Sequence, residues 1–269
     1  MISIISNLND LITLGFYKAF KTIYKDVSLI THHFQYKQME DSKIIIINRF
    51  DNVMNITYDK NKKYIILNRN KKIEKIFKEL NIKYYIICEY DDDFLYDSFI
   101  QKEKFMYIMD NIIIMPYFSI YTKNEILFNY KNNISEKEIF NKKNDIIMIK
   151  NNHHEERKKY KLPKLKIFNC LNPIQQKRLI VDHNLFISFS KPNKFDCKSI
   201  SYMSLGSLSI SNSLLNKKYI FNSIHIDDFK NNIKNFNYNF KSNLVMNIQE
   251  IYNDYTFEKY VRILDKMLK

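Results

Sequence analysis

Residues 186–212, FISFSKPNKFDCKSISYMSLGSLSISN, decide how the rest of the chain is to be read. Phe186, Ile187 and Phe189 make an apolar strand that breaks into a polar loop at Pro192. An amphipathic segment follows over 198–205, and Gly206, one of only 2 glycines in the chain, comes directly after it. A second apolar strand over 208–210 ends at Ser211 and Asn212. Strand, loop, helix, glycine, strand is the order of a βαβ unit, which presents a loop and a helix N-terminus at the carboxyl ends of its strands. Glycine enters the left-handed region without steric penalty, so Gly206 reads as the cap that stops the helix before the next strand.

The same alternation extends in both directions. Short apolar runs at 2–6, 27–30, 44–47, 64–67, 84–88 and 112–115 do not alternate with polar residues, as expected for parallel strands buried on both faces. Residues 7–10 offer helix caps ahead of Phe16, Phe20, Ile23 and Tyr24, and residues 71–80 put Ile73, Ile76, Phe77 and Leu80 on one helical face. A second strand set is predicted at 145–150, 165–168, 185–189, 208–210 and 219–222, with a helix at 173–181. The stretch 118–144 is polar and weakly patterned, and reads as a linker. The predicted organisation is an N-terminal α/β domain over 1–120, a linker over 121–144, a second α/β domain over 145–242 and a long C-terminal helix over 243–269.

Composition bounds the function. With 269 residues and 45% apolar content the chain can fill one large core or two small ones. It has no run of about 18 apolar residues, and MISIISNLND carries no basic leader region, so the start reads as a core strand and the expected location is cytoplasmic. Cys88, Cys170 and Cys197 are far apart and odd in number, which fits free thiols in a reducing compartment. The net charge of +14 points to nucleic acid, an anionic membrane surface or a phosphorylated ligand. The abundance of Lys, Asn, Ile, Tyr and Phe, with no Trp, is also what an AT-rich coding sequence produces, so the charge alone does not select among these partners.

Residues 186–212 resemble the donor-binding segment of GT-B glycosyltransferases. In that family a strand ending in Ser, a loop with an aromatic residue, a helix, a small-residue-plus-glycine turn and an apolar strand succeed one another. With Gly206 on the turn glycine, Asn193 and Ser201 stand at the two positions where the family pattern has glutamates. The resemblance implies two Rossmann-like, doubly wound domains facing a cleft, in a reduced form. It also implies a nucleotide-sugar donor, a UDP or GDP sugar, transferred to a glycan or glycolipid acceptor, and a C-terminal helix that returns to the first domain. Donor contacts are then expected from Ser190, Asn193, Phe195, Lys198, Ser199, Ser201 and Gly206.

Two further constellations carry chemistry. The run NNHHEERKK at 151–159 follows a strand, and Lys150, Arg157 and Lys158 are candidates to neutralise a departing diphosphate without a metal. His153 or His154 is a candidate general base; being adjacent, they cannot chelate one metal from a single helix face. The segment YYIICEYDDDFLYD at 84–97 ends a strand in Glu89, Asp91, Asp92 and Asp93. It resembles the Asp-x-Asp motif of GT-A glycosyltransferases, which would make Asp91 and Asp93 ligands for Mn²⁺ or Mg²⁺. In a GT-B frame Asp91, Asp93 or Glu89 is instead a candidate base for an inverting transfer. Both runs also fit solvated charge clusters. The expectation is thus a metal-independent glycosyltransferase, cytoplasmic or at the membrane surface. The alternatives are a DNA-modifying glycosyltransferase, a metal-dependent GT-A-like enzyme, or a non-catalytic nucleotide-binding protein.

Overall fold

The computed structural model describes residues 1–6, 10–32, 35, 37, 39–48, 56–133, 143–149, 165–169, 172–220, 223–232 and 240–268. The chain divides into two compact units. The first is Met1–Tyr90, Phe94–Pro116 and Glu258–Lys269; the second is Asp91–Asp93 and Tyr117–Phe257. Each is an α/β unit of Rossmann-like, doubly wound type.

The first unit is built on β1 (Ile2–Ser6), β2 (Val27–Ile30), β3 (Ile44–Asn48), β4 (Lys63–Leu67), β5 (Tyr84–Glu89), β6 (Ile100–Glu103), β7 (Met106–Met109) and β8 (Ile112–Met115). Their order in the sheet is β2-β1-β3-β4-β5-β8-β7-β6. The six strands from β2 to β8 in that order run parallel, and β7 and β6 are added antiparallel. Isoleucine dominates the central strands because a β-branched side chain packs well on a pleated surface covered on both faces. Helix α1 (Leu11–Lys21) links β1 to β2, and α2 (Lys71–Glu79) links β4 to β5. On one face Ile45, Ile47, Tyr64, Ile66, Ile73 and Phe77 form a continuous core. The hairpin β6–β7 was not legible in the sequence reading, because IQKE is exposed at the sheet edge and carries no apolar signal.

The second unit contains α3 (Lys123–Asn133), β9 (Lys143–Ile149), β10 (Leu165–Phe168), α4 (Pro173–Asp182), β11 (His183–Ser188), α5 (Cys197–Ser204), β12 (Leu208–Ser211), α6 (Leu214–Tyr219), β13 (Ile224–His225), α7 (Ile226–Asn232) and α8 (Phe240–Asp254). Its all-parallel sheet has the order β10-β9-β11-β12-β13. Counted within each unit, both sheets share the order 2-1-3-4-5, a doubly wound order whose switch point lies between the first and third strands. Gly206 has φ 78°. The Gly206 amide bonds Met203 O at 3.1 Å and the Ser207 amide bonds Tyr202 O at 3.2 Å, so α5 ends in a Schellman motif, as the glycine predicted.

Three expectations need correction. The stretch read as a linker contains α3; among its described side chains Ile126 and Asn129 are the buried ones, so it shows little apolar period. The strand predicted at 219–222 is replaced at Tyr219 by the end of α6; the last strand of the sheet is β13, and residues 221–222 lie outside the described residues. The long C-terminal helix is two helices, α8 and α9 (Phe257–Leu268). The break has a local cause: Tyr255 O accepts the Ser119 amide at 3.1 Å and Thr256 forms a bridge with Ser119, which takes both residues out of helical geometry.

Most of α9, from Glu258 on, belongs to the first unit. It buries Tyr260, Val261, Leu264 and Leu268 on one face. Its polar ties go to three separate segments of that unit. Tyr24 Oη donates to Asp265, Lys63 Nζ donates to the Leu268 carbonyl, and Tyr260 Oη donates to Lys104 O at 2.7 Å. Burial first, then the bond to Asp265 and its charge, push the Tyr24 phenol from 10.0 to about 12. The unfolded chain releases this proton near pH 10.0 while the folded chain keeps it to about 12. The contribution is therefore fully present below that window and is lost as pH rises through it. Chemical denaturation across that alkaline window should show Tyr24→Phe losing less stability with rising pH than the parent chain; an identical slope would contradict the assignment.

Candidate functional site

The carboxyl end of the second unit's sheet is organised by Asp196, a residue the sequence reading passed over. Asp196 is the N-cap of α5 and is 3% exposed. One carboxylate oxygen accepts from Ser188 Oγ at 3.0 Å and from the Ser199 amide at 3.2 Å. The other accepts from Ser211 Oγ at 2.7 Å. Ser188 ends β11 and Ser211 ends β12, so one buried anion ties two strand ends to the start of the helix. Hydrogen bonds to a charged acceptor are about twice as strong as neutral ones, and this geometry uses three.

The loop over 189–196 is stitched to the loop after β12 by further bonds. The Ser190 amide donates to Asn212 Oδ1 and Asn212 Nδ2 donates back to Ser190 O, both at 2.8 Å. The Leu214 amide bonds Pro192 O at 2.8 Å, Ser213 Oγ donates to Lys194 O at 2.6 Å, and the Asp196 amide donates to Asn216 Oδ1 at 3.0 Å. The loop is thus fixed on its inner side, while Lys191 and Pro192 are exposed and Asn193, Lys194 and Lys198 are half-exposed.

The structure also brings together two groups that the sequence reading kept apart. Asn193 Nδ2 donates to Asp91 Oδ1 at 2.6 Å and to Asp93 Oδ2 at 2.7 Å. The Asp92 amide bonds Asn193 O at 3.1 Å, Asp91 bridges Lys194, and Lys218 Nζ lies 3.8 Å from Asp92. The acidic triplet is therefore docked on the loop that follows β11, inside the second unit. Among the described residues no group of three or more His, Cys, Asp or Glu is placed to hold a metal ion.

Other predicted site residues fall in different places. Phe195, expected as a donor contact, is buried and meets Phe118 edge-on at 5.5 Å, with Tyr219 and Tyr255 at 6.2 and 6.4 Å, so its ring is part of the core. Ser201 Oγ donates to Cys197 O at 2.7 Å and accepts the Ile120 amide at 3.1 Å. The Ser199 hydroxyl is buried without a hydrogen-bond partner among the described residues. Glu89 is the last residue of β5 in the first unit, level with Met115 of β8. Lys150, His153, His154, Arg157 and Lys158 lie outside the described residues; the chain reaches them directly after β9, whose carboxyl end is one side of the switch point.

The first unit has a matching polar end. Ser6 closes β1, Asn48 closes β3 and Asn68 follows β4. Asp10, the N-cap of α1, accepts from the Ile12 amide at 3.2 Å, from Thr13 Oγ1 at 2.7 Å and from Asn48 Nδ2. Ser6 Oγ lies 3.0 Å from Thr13 Oγ1, and Asn68 Nδ2 donates to Asn48 Oδ1 at 3.2 Å. The sequence signal is visible in hindsight: ISIIS, IIIIN and YIILN each end an apolar run in a small polar residue.

Neither protein-family models nor curated proteins give a match. Among solved structures, a glycosyltransferase from Rickettsia africae ESF-5 has a similar fold, with a TM-score of 0.55 at 10% identity, covering 100% of this chain and 97% of that one. At that identity the likeness speaks for the fold.

Removing the Asp196 carboxylate leaves two buried hydroxyls and one helix amide without their acceptor. Asp196→Ala should lower unfolding stability by about 3 kcal/mol in urea titration, whereas Ser190→Ala, whose hydroxyl bonds only Lys191 O, should change it by less than about 0.5 kcal/mol. Equal effects would remove Asp196 from its organising position.

Proposed function

We propose that the chain is a glycosyltransferase that moves a sugar from a nucleotide-sugar donor, a UDP or GDP sugar, to a glycan or lipid-linked acceptor. The observation that carries this reading is the repeated 2-1-3-4-5 sheet, with polar networks at the strand carboxyl ends in both units. Doubly wound sheets bind ligands at that end, beside the switch point. The likeness of fold to a glycosyltransferase supports the same reading.

In this proposal the second unit takes the donor at the ends of β9, β11 and β12. Lys198 in the first turn of α5 attracts the diphosphate. Asp196 already occupies the helix cap and the Ser199 amide, so phosphate recognition leans on the ammonium more than on free amides. Ser190 and Asn193 frame the loop, and Lys150, Arg157 and Lys158 are the further cations that offset charge on the leaving nucleoside diphosphate. The acceptor hydroxyl attacks the anomeric carbon, the bond from that carbon to the phosphate oxygen breaks, and a carboxylate takes the hydroxyl proton. Asp93 is the preferred base, since it is exposed and sits against the donor loop through Asn193, with Asp91 beside it. The first unit takes the acceptor. Positive side chains do the work of a metal in this reading; Mn²⁺ or Mg²⁺ at Asp91 and Asp93 is its alternative.

A panel of UDP and GDP sugars, each with and without Mn²⁺, tests the proposal by thermal shift. The correct donor at about 100 times its Kd should raise the melting temperature by roughly 5 °C or more. Lys198→Ala should abolish that rise, and Asp93→Asn should keep it while slowing transfer by about 100-fold or more. No rise with any nucleotide sugar would count against the reading, and a rise that requires Mn²⁺ would favour its metal-dependent form.

A further inference from the structure

Helix α3 turns a surface outward that the transfer reading does not use. Ile126 and Asn129 are buried, and Asn129 Nδ2 donates to Leu205 O at 3.3 Å, which fixes the inner side of the helix. On the outer side Phe128 is 65% exposed, Leu127 39% and Tyr130 37%. Lys131 and Asn124 are exposed and Lys123 is half-exposed on the same side, all within about 160° of the helix circumference, with the Lys123 ammonium 5.0 Å from the centre of the Tyr252 ring of α8. The carboxylate in this part of the helix, Glu125, is turned to Thr122, accepting its amide at 2.9 Å and its hydroxyl at 3.1 Å. The outward face is therefore apolar and cationic, with no carboxylate among its described side chains.

We infer that this face of α3 is a contact surface for an anionic lipid bilayer. Large apolar side chains beside lysine suit the boundary between headgroups and acyl chains: Phe128 and Leu127 enter the apolar layer, Tyr130 lies at its edge, and Lys131 stays among the phosphates, with Lys123 held at the rim over Tyr252. The chain as a whole carries +14, so the long-range field also favours an anionic surface, whatever coding bias supplied the lysines. No helix among the described residues is long and apolar enough to cross a membrane, so the contact is a peripheral one.

Other occupants fit less well. A second copy docked by two-fold symmetry would oppose Lys123 and Lys131 of one chain to the same lysines of the other. A nucleic acid would use the lysines through its phosphates but would leave Phe128 and Leu127 without a role. The exposed pair Phe94 and Leu95 in the first unit is flanked by Asp93 and Asp97, which an anionic surface repels. The inference does not depend on glycosyl transfer, because it rests on α3 alone.

Flotation of the full chain with vesicles tests it, comparing phosphatidylcholine alone with equal parts phosphatidylcholine and phosphatidylglycerol, at low and at physiological salt. The expected result is at least about tenfold stronger partition onto the anionic vesicles, weakened by salt. The double variant Leu127→Asp with Phe128→Asp should lose about tenfold or more of that partition at an unchanged melting temperature, and Lys131→Glu should lose about fivefold. Equal partition onto both vesicles, no partition onto anionic ones, or full retention by these variants overturns the inference. Sedimentation equilibrium showing a dimer that the double variant dissociates also overturns it, because a second copy then covers this face.

Discussion

A carboxylate buried to 3% exposure needs its hydrogen bonds supplied by the protein, and Asp196 gets them from both strand ends and the helix that it joins. This one requirement fixes Ser188, Ser211 and the first turn of α5 in a common frame. Everything chemical in the second unit hangs from it. The loop over 189–196 is held on its inner side, and its half-exposed side chains, Asn193 and Lys194, are presented from that base beside Lys198 of α5. The same anion offsets the positive end of the α5 dipole, so the helix terminus is less available to phosphate than its position at the switch point implies. In the proposed donor site cationic side chains then supply the attraction, and the composition of the chain gives them in excess.

The two units solve the same problem with different residues. In the first, Asp10 caps α1 and gathers Thr13 and Asn48; in the second, Asp196 caps α5 and gathers Ser188 and Ser211. Both place a capping aspartate and small polar strand ends at the carboxyl edge of a parallel sheet, while isoleucine, leucine and phenylalanine fill the layers beneath. Apolar burial holds the sheets together; the polar ends are where the proposed ligand would be recognised.

The parallel strands were legible because burial on both faces forces unbroken apolar runs, and runs such as 44–47 and 64–67 have no other reading. The α5 helix and its stop were legible because a glycine-poor chain spends one of its two glycines at 206. Elements with one exposed side were harder to see. The edge strand β6 shows solvent four polar or isolated residues, and α3 buries Ile126 and Asn129 among its described side chains. The final helix looked continuous because Tyr255 and Thr256 fit a helical face; their bonds to Ser119 and Tyr219 are long-range and leave no local mark. In the site, the docking of Asp91 and Asp93 on Asn193 joins residues about a hundred positions apart, beyond any spacing argument. Asp196 was passed over because a lone acid before a helix looks like an ordinary cap, and its burial is set by serines on two other elements. Phe195, expected from the resemblance as a donor contact, packs against Phe118 and Tyr255, whose positions far along the chain no local pattern reveals.

In the proposed complex a nucleotide sugar is bound at the carboxyl ends of β11 and β12, on the frame held by Asp196. Hydrogen–deuterium exchange of the intact chain, with and without a saturating donor, measures this most directly. Binding there should slow amide exchange in residues 189–199 and 211–216, with little change along the β6–β7 hairpin. Protection absent from those two segments, or confined to the first unit, would contradict it.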